Sequence, residues 1–517
     1  MDLLRKLKKR IFGAKEELKA VVGSYDEWTK KYFPVMKRKV SEALKERSGA
    51  RRIDLIRVDS KDIGWLRRAN DRAKESEAEY ITFQEKDFSE GLFFAAIRTA
   101  AKEDPDAVLI YTDSDRIGSD GKYYEPSLKP DISPCYLCSY DYIGRAFAVK
   151  RSAFMEAGGL DEAFSEDINA ALLDLKFRLL EKGRVLHFPG VYYHSASSGE
   201  RIISYEAGKR AVSGYFKRKG IDADIERGEA EGTFSIRIKP PFEPLVSVII
   251  PNKDHIDELE KCLESIEKSV YRNLEIIIVE NNSTLPETFS YYEKLSKERS
   301  SVRIIKYEGT FNYSKINNFG VSEAKGEFLL FLNNDTEMIA EESIKDMLGV
   351  ASLPGVGAVG ARLFYPDKTI QHAGVTLGVG GIAANAFSGV KQDDPGYMNR
   401  ICCMQELSAV TAACLLMRRS DFDEIGGFTE GLAVAFNDVD LCMKIRKKDK
   451  LIIYYPNATF FHYESKSRGI EDTPEKVKRF NSEIDLFSER WENELKKGDP
   501  YYNPYLTLEI NDFSLML

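Results

Sequence analysis

The chain has 517 residues, 43% hydrophobic and 31% charged, the balance of a soluble globular protein of two or three domains. No apolar run approaches the ~18 residues of a membrane-spanning helix, and the opening MDLLRKLKKR lacks the apolar stretch of a secretory signal. The net charge of −8 hides a basic start, 16 Lys and Arg against 7 Asp and Glu in residues 1–52; the rest is acidic, which argues against nucleic-acid binding.

In chain order, residues 1–50 read as a basic helical region. Leu4, Leu7 and Ile11 recur at helical spacing amid Arg5, Lys6, Lys8, Lys9 and Arg10. Such a helix lies on an anionic membrane surface or packs its stripe on the protein, and the two readings stay open. Cys135 and Cys138 form the one close CxxC pair, without a second to complete a zinc site. The expected compartment is the reducing cytoplasm, with peripheral contact at the inner face of the cell membrane.

A repeat follows. Asn70-Asp-Arg-Ala-Lys-Glu-Ser-Glu-Ala-Glu-Tyr-Ile-Thr-Phe-Gln-Glu-Lys-Asp87 aligns without a gap to Asn318-Phe-Gly-Val-Ser-Glu-Ala-Lys-Gly-Glu-Phe-Leu-Leu-Phe-Leu-Asn-Asn-Asp335. Each reads as a short helix, a turn, and a strand ending in acidic or amide residues. Lys150-Arg-Ser-Ala-Phe-Met-Glu-Ala-Gly-Gly159 then matches Arg418-Arg-Ser-Asp-Phe-Asp-Glu-Ile-Gly-Gly427, and Tyr192-Tyr-His194 matches Phe460-Phe-His462. The expected domains are 51–200 and 243–470, joined by a linker at 201–242 and followed by a helical extension and tail at 471–517. The second copy opens strand–helix–strand, with Val246-Ser-Val-Ile-Ile-Pro-Asn-Lys-Asp254 and Leu274-Glu-Ile-Ile-Ile-Val279 as apolar strands of a parallel sheet. The first copy shows only 53–58 in that place and is expected to be incomplete.

Ligands of such sheets bind beyond the carboxyl ends of the strands. Pro251, Asn252 and Asp254 stand at one such end and Glu280 and Asn282 at its neighbour, suited to a nucleoside slot or to plain turn chemistry. Asn333, Asn334 and Asp335 end another strand, where Asp335 suits a hard divalent cation, Mg²⁺ or Mn²⁺. Asp438 and Asp440 fall near a helix start; a base or a cap is possible for both, and spacing leaves open which faces a cleft. His462 ends a strand ahead of Lys466 and Arg468.

Read together, these motifs resemble family 2 glycosyltransferases, the large bacterial enzymes of O-antigen and cell-wall polysaccharide assembly described as rhamnosyltransferases. Phe311-Asn-Tyr-Ser-Lys-Ile-Asn-Asn-Phe-Gly320, Thr369-Ile-Gln-His-Ala-Gly374, Phe436-Asn-Asp-Val-Asp-Leu441 and His462-Tyr-Glu-Ser-Lys-Ser-Arg-Gly469 complete the set, which spans about 244–515. The resemblance implies two GT-A-like α/β domains with mostly parallel central sheets, the N-terminal one incomplete. It implies an inverting, metal-dependent transfer from a dTDP- or UDP-sugar donor to a glycan or lipid-linked glycan. By resemblance Asp438 is the catalytic base, Asp335 and His462 hold the metal, and Asn318 joins the nucleotide site. Gln371 and His372, with Asp440, are expected at the substrate. Glu280 stands where the family often has Asp. In the first copy Lys86 interrupts the metal motif, Asp113-Ser-Asp115 aligns elsewhere and is a decoy, and the base position is ambiguous between Leu172 and Glu166-Asp167; that copy is expected to be catalytically dead.

Overall fold

A computed structural model describes residues 24–45, 52–59, 61–85, 88, 90–196, 202–463 and 473–517. The segment around Leu4, Leu7 and Ile11, the pair Lys86 and Asp87, and the loop with Lys466 and Arg468 lie outside the described residues. The chain folds as two compact units, Met1–Ile236 with Pro500–Leu517, and Arg237–Asp499. No helix among the described residues is long and apolar enough to cross a membrane.

In the first unit a capping box at Ser24 and Glu27 starts the helix Tyr25–Lys39. The strands are β1 (Ile53–Arg57), β2 (Tyr80–Gln84), β3 (Leu109–Ile117), β4 (Tyr123–Ser127), β5 (Phe147–Lys150) and β6 (Val185–Ala196). β1 runs parallel to β2, β5 lies antiparallel between β2 and β3, and β6 runs parallel to β3. The stretch read as a linker carries the helix Tyr205–Arg218 and the strands β7 (Ala223–Arg227) and β8 (Phe234–Ile238). The tail after Pro500 belongs to this unit: Asn503 Nδ2 donates to Asp113 Oδ2 and to the Lys129 carbonyl, both at 2.9 Å.

The second unit holds β9 (Val246–Asn252), β10 (Leu274–Glu280), β11 (Val302–Lys306), β12 (Phe328–Leu332), β13 (Thr336–Met338), β14 (Val356–Phe364), β15 (Ile370–His372), β16 (Val375–Leu377), β17 (Ala383–Asn385), β18 (Gln405–Leu407), β19 (Cys414–Arg418) and β20 (Leu451–His462). The main sheet runs β11-β10-β9-β12-β19-β14-β20-β13. β9 to β12 pair in parallel, and the apolar runs of β9 and β12 are buried on both faces, as the interior of such a sheet requires. The α/β class is as expected, but the sheet is mixed rather than mostly parallel. β19 enters antiparallel between β12 and β14 and reverses the direction of the sheet.

The path β1-β2-β5-β3-β6 of the first unit repeats β9-β12-β19-β14-β20 of the second in order and in every strand sense. The register slips after Thr112 in β3 and after Ala361 in β14, equivalent positions when Leu109, opposite Val149, is set against Ala358, opposite Met417. Among the described residues the first unit has no counterpart of β10 and β11.

Candidate active site

The end of β12 and the end of β20 meet because β13 turns back to pair with β20, Thr336 opposite His462. This brings His462 Nε2 to 3.2 Å from Asp335 Oδ1. Gln371, on β15, holds the ring from the other side. Its Oε1 lies 2.7 Å from His462 Nδ1, and its Nε2 donates to the His462 carbonyl at 3.3 Å. An amide oxygen only accepts, so Nδ1 carries a proton, and Nε2 is the ring nitrogen turned toward Asp335. Asn333 Nδ2 lies 3.1 Å from that Nε2.

Asp438 stands in the first turn of the helix Asn437–Arg446. Its Oδ2 accepts from the Ala412 N–H at 3.2 Å and its Oδ1 from the Val439 N–H at 2.9 Å. Burial raises its carboxyl above the ordinary carboxylate value, and hydrogen bonds from Thr411 and the backbone offset only part of the rise. Asp438 and His462 line one cleft, open to solvent, with Asn333, Gln371, His372 and Asn437 on its walls. Asp335 contacts His462 but is not itself in that lining. His372 accepts from the Thr411 N–H through Nε2 (3.3 Å) and faces Asn385 Oδ1 through Nδ1 (2.7 Å). Burial lowers its pKa to about 4, so it is a neutral wall group at physiological pH.

The donor set of Asp335 and His462, one carboxylate and one imidazole whose Nδ1 is held by Gln371, would suit a hard divalent cation such as Mg²⁺ or Mn²⁺. Among the described residues no group of three or more His, Cys, Asp and Glu side chains suits a metal, so a protein-only cage is not what these residues build.

Other expected site residues are occupied by one another. Pro251 and Asn252 do lie opposite Val279 and Glu280. Asn252 Oδ1 accepts from Asn334 Nδ2 at 2.6 Å, while its Nδ2 donates to the Asp254 carbonyl and to Tyr292 Oη. Tyr292 Oη donates to Glu280 Oε2 (2.9 Å), whose carboxylate also takes the Ser283 N–H and hydroxyl. Asp254 accepts from Thr284 N and Leu285 N ahead of the helix Pro286–Glu298. Burial would lift its carboxyl, but these N–H groups outweigh that and hold it below the usual range. Asn282, at φ 60°, donates to the Gly309 carbonyl at 2.6 Å. These contacts tie the strand ends to one another, outside the lining of the cleft.

Two residues are placed away from the cleft. Asn318 bonds both sides of the Phe428 backbone, its Oδ1 accepting from N (2.9 Å) and its Nδ2 donating to O (3.0 Å). Asn70 holds Leu160 the same way in the first unit, at 2.8 and 2.9 Å. A Cβ on Gly427 or Gly159 would stand 2.7 or 2.8 Å from the clamping Asn oxygen, and both glycines have positive φ. The shared Asn and Gly-Gly therefore hold the same turn in both units. Asp440, expected at the substrate, is fully buried and takes Thr429 Oγ1 (2.6 Å), Trp491 Nε1 (2.8 Å) and Arg490 Nε (2.9 Å). Tyr313, Asn385 and Thr411 line the cleft without having been singled out. Tyr313 lay inside a quoted motif, whereas Asn385 and Thr411 carried no signal.

In the first unit the same positions are closed. Arg145 is equivalent to Ala413 and Glu85 to Asn333. Arg145 bonds Glu85 Oε2 at 2.8 Å and Asn169 Oδ1 at 2.9 Å, an almost fully buried bridge where the second unit has its opening. His194, equivalent to His462, faces Asp115 Oδ1 at 2.5 Å, and Tyr25 Oη bonds the other oxygen at 2.6 Å. Asp113 is buried against His187 and the Gly190 N–H. Of the positions left open for a base, Asp167 caps the helix Ile168–Leu180, Glu166 pairs with Arg210, and Leu172, which has no titratable group, lies buried within the helix.

Residues 247–426 match the family model described as Glycosyl transferase family 2. The match falls within the second unit, the α/β domain with the mixed central sheet. The match covers Asp335 but ends before Asp438 and His462. The chain is 38% identical over 427 residues to the uncharacterized protein y4gI of Sinorhizobium fredii, covering 80% of this chain and 46% of that one. It is 34% identical over 436 residues to the O-antigen biosynthesis protein RfbC of Myxococcus xanthus, covering 81% and 33%. The chain thus spans less than half the length of either relative. A mannosyltransferase of Pyrobaculum calidifontis, solved with GDP-Man and Mn²⁺, superposes with a TM-score of 0.38 at 17% identity over 52% of this chain and 69% of that one.

Proposed function

We propose that the second unit is an inverting glycosyltransferase that moves a sugar from a nucleotide-diphosphate donor to a hydroxyl of a glycan or lipid-linked glycan in cell-surface polysaccharide biosynthesis. The observation that carries the reading is Asp438: a carboxylate of raised basicity opening on the polar cleft that His462 also lines. The acceptor hydroxyl gives its proton to Asp438 as its oxygen bonds the anomeric carbon, and the bond from that carbon to the diphosphate oxygen breaks with its electron pair. Attack from the side opposite the leaving group inverts the centre, as when a base activates the nucleophile in inverting glycoside hydrolysis. Asp335 and His462 would hold the divalent cation, which when bound neutralises charge on the departing diphosphate. His372 and Gln371 stand on the wall where sugar or acceptor hydroxyls would lie. The family match and the O-antigen relative support a polysaccharide substrate class. The first unit, with its Glu85–Arg145–Asn169 bridge in place of a cleft, is a scaffold or acceptor platform.

The test is a panel of dTDP-, UDP- and GDP-sugars, headed by dTDP-rhamnose, scored for thermal stabilisation with and without Mn²⁺ and then for turnover with lipid-linked acceptors. Stabilisation by one nucleotide sugar that needs the metal, followed by transfer, is expected. Absence of any nucleotide binding would leave a carbohydrate-binding or complex-organising protein instead.

A further inference from the structure

Asp438 is reached through the loop 432–436, and a carboxylate outside the cleft grips that loop. Glu483 lies on the helix Pro474–Arg490 and is 1% exposed. Its Oε1 accepts from the Val434 N–H at 2.9 Å and its Oε2 from the Ala435 N–H at 3.1 Å. A carboxylate that takes two successive N–H groups fixes the loop in orientation as well as position. Phe480 and Phe487 flank it on the same helix face, and Phe436 packs on both, with ring centroids 5.9 and 5.4 Å away. Phe436 sits at φ 60°, a backbone state that a non-glycine residue keeps only where its surroundings impose it. The helix bearing Asp438 begins at the next residue. From the other side, Tyr313 N donates to the Ala433 carbonyl at 2.8 Å and Ser314 Oγ to the Leu432 carbonyl at 2.6 Å. The loop is held like a bar between two jaws, with Val434 and Asp438 both facing the cleft.

We infer that Glu483 is a positioning residue for the transfer: it holds the 433–436 turn so that the Asp438 carboxylate meets the acceptor hydroxyl, without itself touching substrate. This rests on the base role proposed for Asp438. The experiment is Glu483→Gln in the full chain, assayed with the donor and acceptor that turn over, alone and combined with Asp438→Asn. Glutamine keeps the size but sets an NH₂ against one of the two N–H groups. The expected result is a fall in kcat of about 10–100-fold, the scale of a small misplacement of a reacting group, with donor KM and nucleotide affinity unchanged. In the Asp438→Asn background the same change has no further effect, because the step it serves is already gone. Parental kcat in folded Glu483→Gln, or an equal fall in both backgrounds, overturns the inference. If Glu483→Gln does not fold, Phe480→Leu, which loosens the same turn, is read by the same two criteria. Asp438→Asn with undiminished transfer defeats the base role and this inference with it; Asp438→Asn inactive with Glu483→Gln at parental rate defeats this inference alone.

Discussion

Asp438→Asn separates chemistry from folding in this cleft. The carboxylate takes one N–H on each oxygen; asparagine keeps one acceptor and turns an NH₂ toward the other donor. That mismatch costs about 1 kcal/mol. Against it stands the relief of a carboxylate that burial disfavours in its charged form. The sign follows from linkage. With a folded pKa above the unfolded one, the native state binds the proton more readily, so this group's contribution to stability falls as pH rises through the window between the two values. Above that window the wild type bears the full penalty, and there Asp438→Asn should melt at the same or a higher temperature. Its rate should instead collapse. Loss of a general base costs roughly 10²–10⁴-fold, about 3–5 kcal/mol of barrier. Single-turnover transfer at saturating donor, measured across pH, checks both parts. The wild-type rate should rise with pH through an acid limb lying above the ordinary carboxylate value, and the variant should lose that limb. A variant that transfers at the parental rate, or one that melts well below the parent, refutes the reasoning.

Further outcomes follow from the same geometry. Gln371→Leu frees the His462 tautomer, so Mn²⁺ affinity in the presence of donor nucleotide should weaken about 10–100-fold by calorimetry; unchanged affinity removes His462 from the metal site. Asn318→Ala takes away both bonds to Phe428 and should cost about 2–3 kcal/mol in urea unfolding, with nucleotide affinity per folded molecule unaltered. Lost nucleotide binding at parental stability would return Asn318 to the donor pocket.

Much of the organisation was legible along the chain. The gapless match of 70–87 to 318–335, the Gly-Gly turns and the paired His194 and His462 implied two related sheets, and the strand orders repeat accordingly. The absence of an opening unit in the first copy was legible for the same reason: a β-α-β opening needs apolar runs that can be seen or missed locally. Reversal of the sheet at β19 was not, since an apolar strand has the same composition in either direction.

By itself the sequence determined which polar residues fall at strand and helix ends, because periodicity and turn chemistry are local. Tertiary structure alone decided which of them remain available. Asp438 and Asp440 share one helical turn, about 200° apart around the axis; one opens on the cleft, and the other is consumed by Arg490 and Trp491 some fifty residues on. Asn252, Asn334 and Glu280 stand at the expected strand ends, yet their hydrogen bonds close on each other through Tyr292. The partner across space decides whether a buried polar group is spent or free, and local spacing does not encode that partner.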